Sequence, residues 1–197
     1  MTTTIDSVLR GGLAGHGDEF RLTLDPRFQG LPDTAHGGSV LAAFHVAAGI
    51  AGPQEVRGLY RKRVPLGTPL RLARTRHDGG VACRLFDETG AALVEGGVSP
   101  VGEASEGLTP AGSAGDPLPV SSTCFACGID NPLGLRAHLF FDAATVWGRW
   151  APKAAVAMPD GSIAPIALTA LLDEAAFWLG ALASGESGMT TELAVTL

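Results

Sequence analysis

The residues best suited to chemistry lie in two apolar, Ala-rich stretches, each opened by small residues that predict the start of a buried helix. The first begins with His36-Gly37-Gly38, and the second, over residues 165–183, carries Asp173 near its centre. A helix N-terminus offers unpaired N–H groups and a positive dipole, so the first stretch can stabilise an oxygen that gains negative charge. A carboxylate such as Asp173 can activate water as a general base or attack as a nucleophile.

Composition indicates the class of protein and the partners to expect. Hydrophobic residues make up 46% of the 197 residues and charged residues only 17%, which is enough to bury a substantial core. The net charge of -6 argues against nucleic acid, which requires a basic surface, so small molecules and proteins remain as partners. The first seven residues lack the basic and apolar regions of a signal peptide, and we therefore expect a cytoplasmic protein.

One stretch is long enough to raise the question of a membrane span. Residues 163–183 are mostly apolar over about the length that crosses a bilayer. Asp173 and Glu174 lie at its centre, where each charge would cost roughly 2.5 kcal/mol or more, and no cationic residues flank its ends. We therefore predict a core helix of a soluble protein, with no membrane partner.

The elements around the two helices are predicted from alternation and from turn residues. Phe20, Leu22 and Leu24 alternate with polar residues, which indicates a strand with one buried face. Gly and Pro residues mark the helix end and the turns of an antiparallel meander. The remaining predicted elements are a helix over 37–50, strands over 56–65, 69–76, 81–86 and 91–99, a bent strand or hairpin over 135–150, a helix over 165–183 and a strand over 190–197.

The second half of the chain repeats the first. Leu24-Asp25-Pro26 corresponds to Trp150-Ala151-Pro152 at an offset of 126 residues. Leu59 corresponds to Leu193 at an offset of 134 residues, so small loop insertions account for the drift. The repeat predicts two copies of one structural unit.

The unit boundaries follow from composition. We predict a first unit over 1–101, a linker rich in Gly, Ser, Pro and Ala over 102–122, and a second unit over 123–197. The second unit has one predicted strand after its helix. The first unit has about three further strands, which the second lacks. An unpaired strand edge and a partly uncovered helix favour a homodimer or a larger homo-oligomer.

The order of elements resembles the hotdog fold, specifically acyl-CoA thioesterases of the PaaI-like group. The resemblance rests on a strand, a long central helix opened by His36-Gly37-Gly38 and an antiparallel run of strands, and it covers most of both halves. The segment Cys124-Phe125-Ala126-Cys127-Gly128, followed by Asn131-Pro132-Leu133-Gly134-Leu135, is also similar to the lead-in of such domains. The resemblance implies an α+β protein of two tandem hotdog units, each an antiparallel sheet around a central helix, the second incomplete at its C-terminus.

The resemblance also implies where catalysis would take place. The family has His-Gly-Gly, then six residues, then an Asp. The first half keeps residues 36–38 but has His45 at the position of the acid, nine residues after His36. The second half keeps the acid, Asp173, but has Pro165, which lacks an N–H group, at the position of Gly37. Helix N-terminus and acid come from opposite subunits in the family's dimers, so the two halves would form one composite site. Its predicted residues are His36, which orients the turn, Asp173, and Gly37 and Gly38, which let a substrate approach the backbone closely.

The substrate that the resemblance implies is an acyl-CoA thioester, hydrolysed without a cofactor. Negative charge builds on its carbonyl oxygen, and N–H groups at the helix N-terminus would stabilise that charge while Asp173 acts as base or nucleophile. Arg57, Arg61 and Arg63 could bind the phosphates of coenzyme A through their forked donors. The same arginines could equally form a solvated, charged strand edge.

Cys124 and Cys127 have the spacing of a zinc knuckle. A closed zinc site needs four ligands, however, and only Cys83 and scattered histidines remain, so no metal is expected. A reducing compartment also disfavours a disulfide.

Two alternatives to hydrolysis stay open. Hotdog dehydratases pair a His with an acid from the partner helix, and His36 or His45 with Asp173 could form such a pair. Their sequence signatures are absent, because position 40 is Val and the turn before the helix reads Phe28-Gln29-Gly30. The other alternative is a non-catalytic module that binds acyl-CoA.

Overall fold

The computed structural model describes residues 3–102, 115–142, 144–185 and 188–197. Most of these residues pack around a large antiparallel sheet of seven strands, and a second sheet has three short strands. The ten strands are Leu13–His16 (β1), Glu19–Leu22 (β2), Gln54–Tyr60 (β3), Leu70–His77 (β4), Gly80–Phe86 (β5), Ala92–Pro100 (β6), Asp116–Pro117 (β7), Leu139–Asp142 (β8), Thr145–Gly148 (β9) and Glu192–Thr196 (β10). The large sheet has the order β1-β2-β4-β5-β6-β3-β10, and the small sheet the order β7-β8-β9.

Helix α2, Gly37–Ala48, is the central helix that the sequence predicts, and it packs against β3, β5 and β6. Val40, Leu41 and Phe44 are wholly buried, as expected for a helix that is apolar on all faces. The helix ends at Gly49, whose φ of 60° is left-handed and therefore favours glycine. The predicted meander is confirmed for β4, β5 and β6, which pair in succession. Its first strand was misplaced, because β3 pairs with β6 and not with β4, so the turn at residues 66–68 does not join two neighbouring strands.

Helix α3, Pro165–Ser184, packs along α2, and it is the second predicted helix. Its residues facing α2 are buried, but Leu172, Leu179 and Leu182 are 50%, 44% and 40% exposed. Within the described residues, the outer face of α3 is therefore open to solvent. By length and composition α3 could cross a bilayer, but core helices of soluble proteins pass the same test, so this carries little weight.

Strand β10 joins the two halves of the chain by pairing with β3. Leu59 pairs with Glu192, and Gly58 pairs with Leu193. In the predicted repeat, Leu59 corresponds to Leu193 and Gly58 corresponds to Glu192. Leu59 therefore pairs with the residue equivalent to Gly58, and Gly58 pairs with the residue equivalent to Leu59. Any antiparallel pair of strands has such a local two-fold relation, so the division of the chain into two similar units stays a prediction.

Two elements near the N-terminus were not predicted from the sequence. Helix α1, Ile5–Gly11, is capped by Thr4 and buries Ile5 and Leu9, one turn apart on the same face. Strand β1 then pairs with β2 at one edge of the large sheet. A seven-residue helix with two buried side chains gives too short a periodic pattern to stand out.

The predicted linker over 102–122 falls largely outside the described residues, which leave out 103–114. Its described end contains β7, which pairs with β8. Of the two alternatives predicted over 135–150, a bent strand or a hairpin, the structure has the hairpin, formed by β8 and β9. Phe140 stacks on Trp147 across it at 5.0 Å between ring centroids. The division into units over 1–101 and 123–197 stays a prediction.

Candidate active site

A cavity of about 350 Å³ opens where the N-terminus of α2 meets the middle of α3. One wall consists of the turn at residues 119–127, and another of the end of β3. Polar groups gather at its inner end, while Phe177 and Trp178 of α3 supply aromatic surface. A largely apolar cavity with a few convergent polar groups is typical of a small-molecule site.

The His36-Gly37-Gly38 turn is fixed by contacts on several sides. The His36 N–H donates to the Phe28 carbonyl at 2.8 Å, and the Tyr60 hydroxyl donates to the Gly37 carbonyl at 2.7 Å. Within the described residues the Gly37 N–H has no hydrogen-bond partner, and Gly37 lines the cavity. This N–H at the first position of α2 is therefore free to bind a substrate oxygen.

Asp173 of α3 reaches the N-terminus of α2 although 135 residues separate it from Gly38. The Gly38 N–H donates to Asp173 Oδ2 at 2.9 Å, and the Thr190 hydroxyl donates to Oδ1 at 2.8 Å. Burial by itself would raise the pKa of Asp173, but attraction to His36 and these hydrogen bonds outweigh burial and hold the pKa below its usual value. The carboxylate is therefore ionised at neutral pH.

The two glycines of the turn leave room for different neighbours. A Cβ atom on Gly37 would lie 2.7 Å from Asp173 Oδ2, so Gly37 lets the carboxylate approach the helix end. A Cβ atom on Gly38 would lie 2.5 Å from the Ala170 Cα atom, so Gly38 lets α2 and α3 pack closely. Both glycines were predicted from the sequence to let a substrate approach the backbone. The space beside Gly38 is instead occupied by α3.

His36 lies between two carboxylates and is 4% exposed. Its Nδ1 atom is 3.0 Å from Asp173 Oδ2, an ion-pair contact whose N–H is poorly aligned for a hydrogen bond. Its Nε2 atom is 3.4 Å from Glu174 Oε2. Burial lowers the pKa of His36, but the two carboxylates more than offset it and raise the pKa to about 10.

Glu174 completes the polar group and is 9% exposed. The Trp178 indole N–H donates to its Oε1 atom at 3.2 Å, and the Cys124 thiol donates to Oε2 at 3.8 Å. Sequence reasoning missed Glu174, Tyr60 and Thr190 as parts of the site. Of these three residues, only Glu174 could have been found from the sequence, because it is a second acid next to Asp173 on an otherwise apolar helix.

The three arginines predicted to bind phosphate lie in different surroundings. Arg63 lines the cavity together with Lys62, and its Nε atom contacts the Met189 sulfur at 3.3 Å. Arg57 pairs with Glu192 and Arg61 with Glu95 on the exposed sheet, and neither lines the cavity. Only Arg63 is placed to meet a ligand in this cavity.

The other two corresponding positions, His45 on α2 and Pro165 at the start of α3, do not form a comparable site. His45 lies away from the cavity, and its Nδ1 atom is 3.1 Å from Gln54 Oε1. Burial lowers the pKa of His45, so the ring is neutral at physiological pH. Pro165 begins α3 and has no N–H group to donate, as the sequence predicts.

Comparison with known proteins finds no matching family and no matching curated protein. Solved structures do match. A candidate thioesterase II of Thermobifida fusca YX aligns with a TM-score of 0.61 at 18% identity, over 98% of this chain and 80% of that chain. A conserved protein of unknown function with a hot dog fold from Alicyclobacillus acidocaldarius aligns with a TM-score of 0.51 at 17% identity, over 82% and 66%. GphF dehydratase 1 aligns with a TM-score of 0.53 at 17% identity, over 89% and 74%.

At identities this low the likenesses concern the fold alone. With a buried helix against an antiparallel sheet, they show that the chain has a hotdog fold. The neighbours include a candidate thioesterase and a dehydratase, so the fold by itself does not select one reaction.

Proposed function

We propose that the protein hydrolyses an acyl-CoA thioester to a free acid and coenzyme A, at a composite site between two tandem hotdog units. The observation that carries the proposal is the position of Asp173 on α3, 2.9 Å from the Gly38 amide at the N-terminus of α2. This places an ionised carboxylate beside the free N–H of Gly37 in one cavity.

In this proposal the thioester carbonyl oxygen accepts the Gly37 N–H and lies at the positive end of the α2 dipole. Both interactions strengthen as the oxygen gains negative charge in the transition state. Asp173 either removes a proton from the attacking water or attacks the carbonyl carbon itself. As a base, Asp173 takes a proton from water and passes it to the leaving sulfur, so the C–S bond breaks and coenzyme A leaves as the thiol. As a nucleophile, Asp173 displaces coenzyme A to form a mixed anhydride, which water then hydrolyses to the acid and the free carboxylate while the sulfur takes up a proton.

Isotope labelling distinguishes the two roles of Asp173. A single turnover in H₂¹⁸O places ¹⁸O directly in the product acid if Asp173 acts as a base. If Asp173 is the nucleophile and water opens the anhydride at the Asp173 carboxyl carbon, the acid takes an ¹⁶O atom from the carboxylate, and the label is found in Asp173 after the first turnover. Mass spectrometry of the product and of the peptide containing Asp173 reads out both outcomes.

The cavity mouth supports recognition of coenzyme A by positive charge. Arg63 and Lys62 both line the cavity, and an Arg fork suits phosphate oxygens. Arg57 and Arg61 stay part of the prediction, but their acidic partners on the sheet surface leave Arg63 as the best placed of the three.

A second candidate reaction is hydration or dehydration of a thioester, which the contact between His36 and Asp173 favours. The two residues are 3.0 Å apart, as an acid–base pair would require. Both ring nitrogens of His36 already face carboxylates, however, so neither is free to take a proton from a substrate. Hydrolysis therefore accounts better for the arrangement.

Turnover assays with a panel of acyl-CoA thioesters separate the candidates. Hydrolysis releases free thiol, whereas hydration of an enoyl thioester consumes its absorbance without releasing thiol. A protein that binds acyl-CoA by calorimetry yet does neither would be a binding module.

A further inference from the structure

Four potential metal ligands of three chemical kinds converge at the inner end of the cavity. They come from three separate segments: His36 before α2, Cys124 and Cys127 in one turn, and Glu174 on α3. All four are 9% exposed or less. The catalytic proposal uses Asp173 and the Gly37 N–H, and it gives no role to the thiols.

The measured separations match those of a tetrahedral zinc ion. Zn–N and Zn–O bonds of about 2.05 Å and a Zn–S bond of about 2.3 Å place nitrogen and oxygen ligands about 3.3 Å apart, and sulfur and oxygen ligands about 3.6 Å apart. His36 Nε2 is 3.4 Å from Glu174 Oε2, and Cys124 Sγ is 3.8 Å from the same oxygen. The ligand atoms of these three residues all lie within 4.8 Å of one another.

Cys127 is the candidate for the fourth ligand, because it follows Cys124 by three residues in the same turn. Its side chain is buried, lines the same cavity and packs with Cys124 and Ala126. Gly128 permits this turn, because a Cβ atom there would lie 2.7 Å from the Cys124 nitrogen.

His36 is oriented as a metal ligand would be. With its Nδ1 atom 3.0 Å from Asp173, its Nε2 atom faces Cys124 and Glu174. Histidine ligands of metal ions usually have a carboxylate or carbonyl on the other ring nitrogen, which fixes the ring and its tautomer. Asp173 Oδ2 lies beside that nitrogen here, at 3.0 Å, although it is out of line with the N–H bond.

We infer that His36 Nε2, Cys124 Sγ, Cys127 Sγ and Glu174 Oε2 form a zinc site in the wall of the cavity. Two sulfurs, one nitrogen and one oxygen suit the borderline-soft Zn²⁺ better than Mg²⁺ or Ca²⁺, which prefer oxygen. Binding requires two thiolates and a ring with a free Nε2 lone pair, so the displaced protons pass to solvent. The site does not depend on the proposed hydrolysis, and Asp173 and Gly37 remain available to a substrate.

The sequence alone could not reveal this site. Cys124 and Cys127 have the knuckle spacing, but the other two ligands come from segments distant in sequence, and one of them is a Glu. Only the approach of α3 to the start of α2 brings the four ligands together.

Metal content of the intact chain tests the inference without reference to activity. The protein is purified with a phosphine reductant, and thiol titration after denaturation must return all three cysteines. Equilibrium dialysis against micromolar Zn²⁺ should then give one zinc per chain. With Co²⁺ as a probe, the parent protein should show thiolate-to-cobalt charge transfer and the intense visible bands of tetrahedral cobalt.

Variants locate the ion, with circular dichroism to verify that each is folded. Cys124→Ala and Cys127→Ala should each weaken zinc binding by about 10²-fold or more, and Glu174→Gln should weaken it while keeping the side-chain shape. Asp173→Asn should weaken binding by about 10–100-fold and keep the tetrahedral cobalt spectrum, since it acts through His36. Cys83→Ala is the matched control: it removes a buried thiol of β5, outside the cluster, and should bind zinc like the parent.

Two results would overturn the inference. One is a folded, fully reduced parent that takes up neither Zn²⁺ nor Co²⁺ at micromolar concentration. The other is metal binding that lacks the thiolate band, or that survives in Cys124→Ala and Cys127→Ala as well as in Cys83→Ala.

Discussion

Gly37→Ala should separate the catalytic use of the helix N-terminus from its structural use. The added Cβ atom would lie 2.7 Å from Asp173 Oδ2, so the carboxylate must retreat by roughly half an ångström or more to reach ordinary contact. The 2.9 Å bond from the Gly38 N–H to Oδ2 would then be lost or strongly weakened. A displacement of this size at a reacting group costs roughly 10²-fold in turnover.

The loss of stability in this variant, about 0.5–3 kcal/mol, should leave the protein folded for the assay. Loss of a hydrogen bond to a charged group costs about 1.5–3 kcal/mol, and the better helix propensity of Ala returns up to about 1 kcal/mol. In Gly38→Ala the added Cβ would instead meet the Ala170 backbone at 2.5 Å, which cannot move aside without separating α2 from α3. Such overpacking costs about 1–3 kcal/mol, or a lower Tm by about 2–12 °C in a domain of this size.

Gly180→Ala is the matched control for both variants. Gly180 lies on the exposed side of α3, and a Cβ atom there meets nothing within 4 Å. The variant should keep parental turnover and gain about 0.5–1 kcal/mol of stability. Free-thiol release gives turnover, and thermal unfolding followed by circular dichroism gives Tm. If Gly37→Ala hydrolyses acyl-CoA as fast as Gly180→Ala does, the carboxylate does not act from the position described.

Three further predictions concern the cavity mouth, the opposite helix position and assembly. Arg63→Ala should raise KM for acyl-CoA by about 5-fold and leave KM for a short thioester without phosphates unchanged. Arg57→Ala should alter neither KM value. Equal effects of the two variants would contradict the assignment of Arg63 to phosphate binding. His45→Ala should leave hydrolysis almost unchanged, because the site opposite it lacks the N–H that Pro165 cannot supply; loss of turnover with unchanged Tm would refute this. The exposed leucines of α3 and the free edge of β10 should associate with a second copy of the chain, so light scattering at micromolar concentration should give at least a dimer mass, and a monomer mass would count against it.

The sequence predicted the elements that local pattern determines. The apolar helix over Gly37–Ala48 and the meander of β4, β5 and β6 were foreseen because hydrophobic period and turn residues act over a few residues. Helix α1 was missed because two buried side chains in seven residues give almost no period. The linker stays a prediction from composition, because most of it lies outside the described residues.

The site was only partly predictable for a different reason. The resemblance to thioesterases pointed to Gly37 and Asp173, and the structure brings the two segments together. The polar partners Tyr60, Thr190 and Glu174 come from elements whose mutual positions depend on tertiary packing, which no local pattern records. The role of Gly38 was misjudged for the same reason, since Ala170 lies more than a hundred residues away in sequence yet fills the space beside it.

Turnover and binding in Asp173→Asn test the proposed function most directly. The amide keeps the shape of the side chain and can still accept the Gly38 N–H through its oxygen, but it can act neither as a base nor as a nucleophile. We predict a loss of about 10²-fold or more in turnover with acyl-CoA binding within a few-fold of the parent. Parental rates of thiol release in a folded Asp173→Asn protein would contradict the proposal, as would a parent protein that binds acyl-CoA and hydrolyses none.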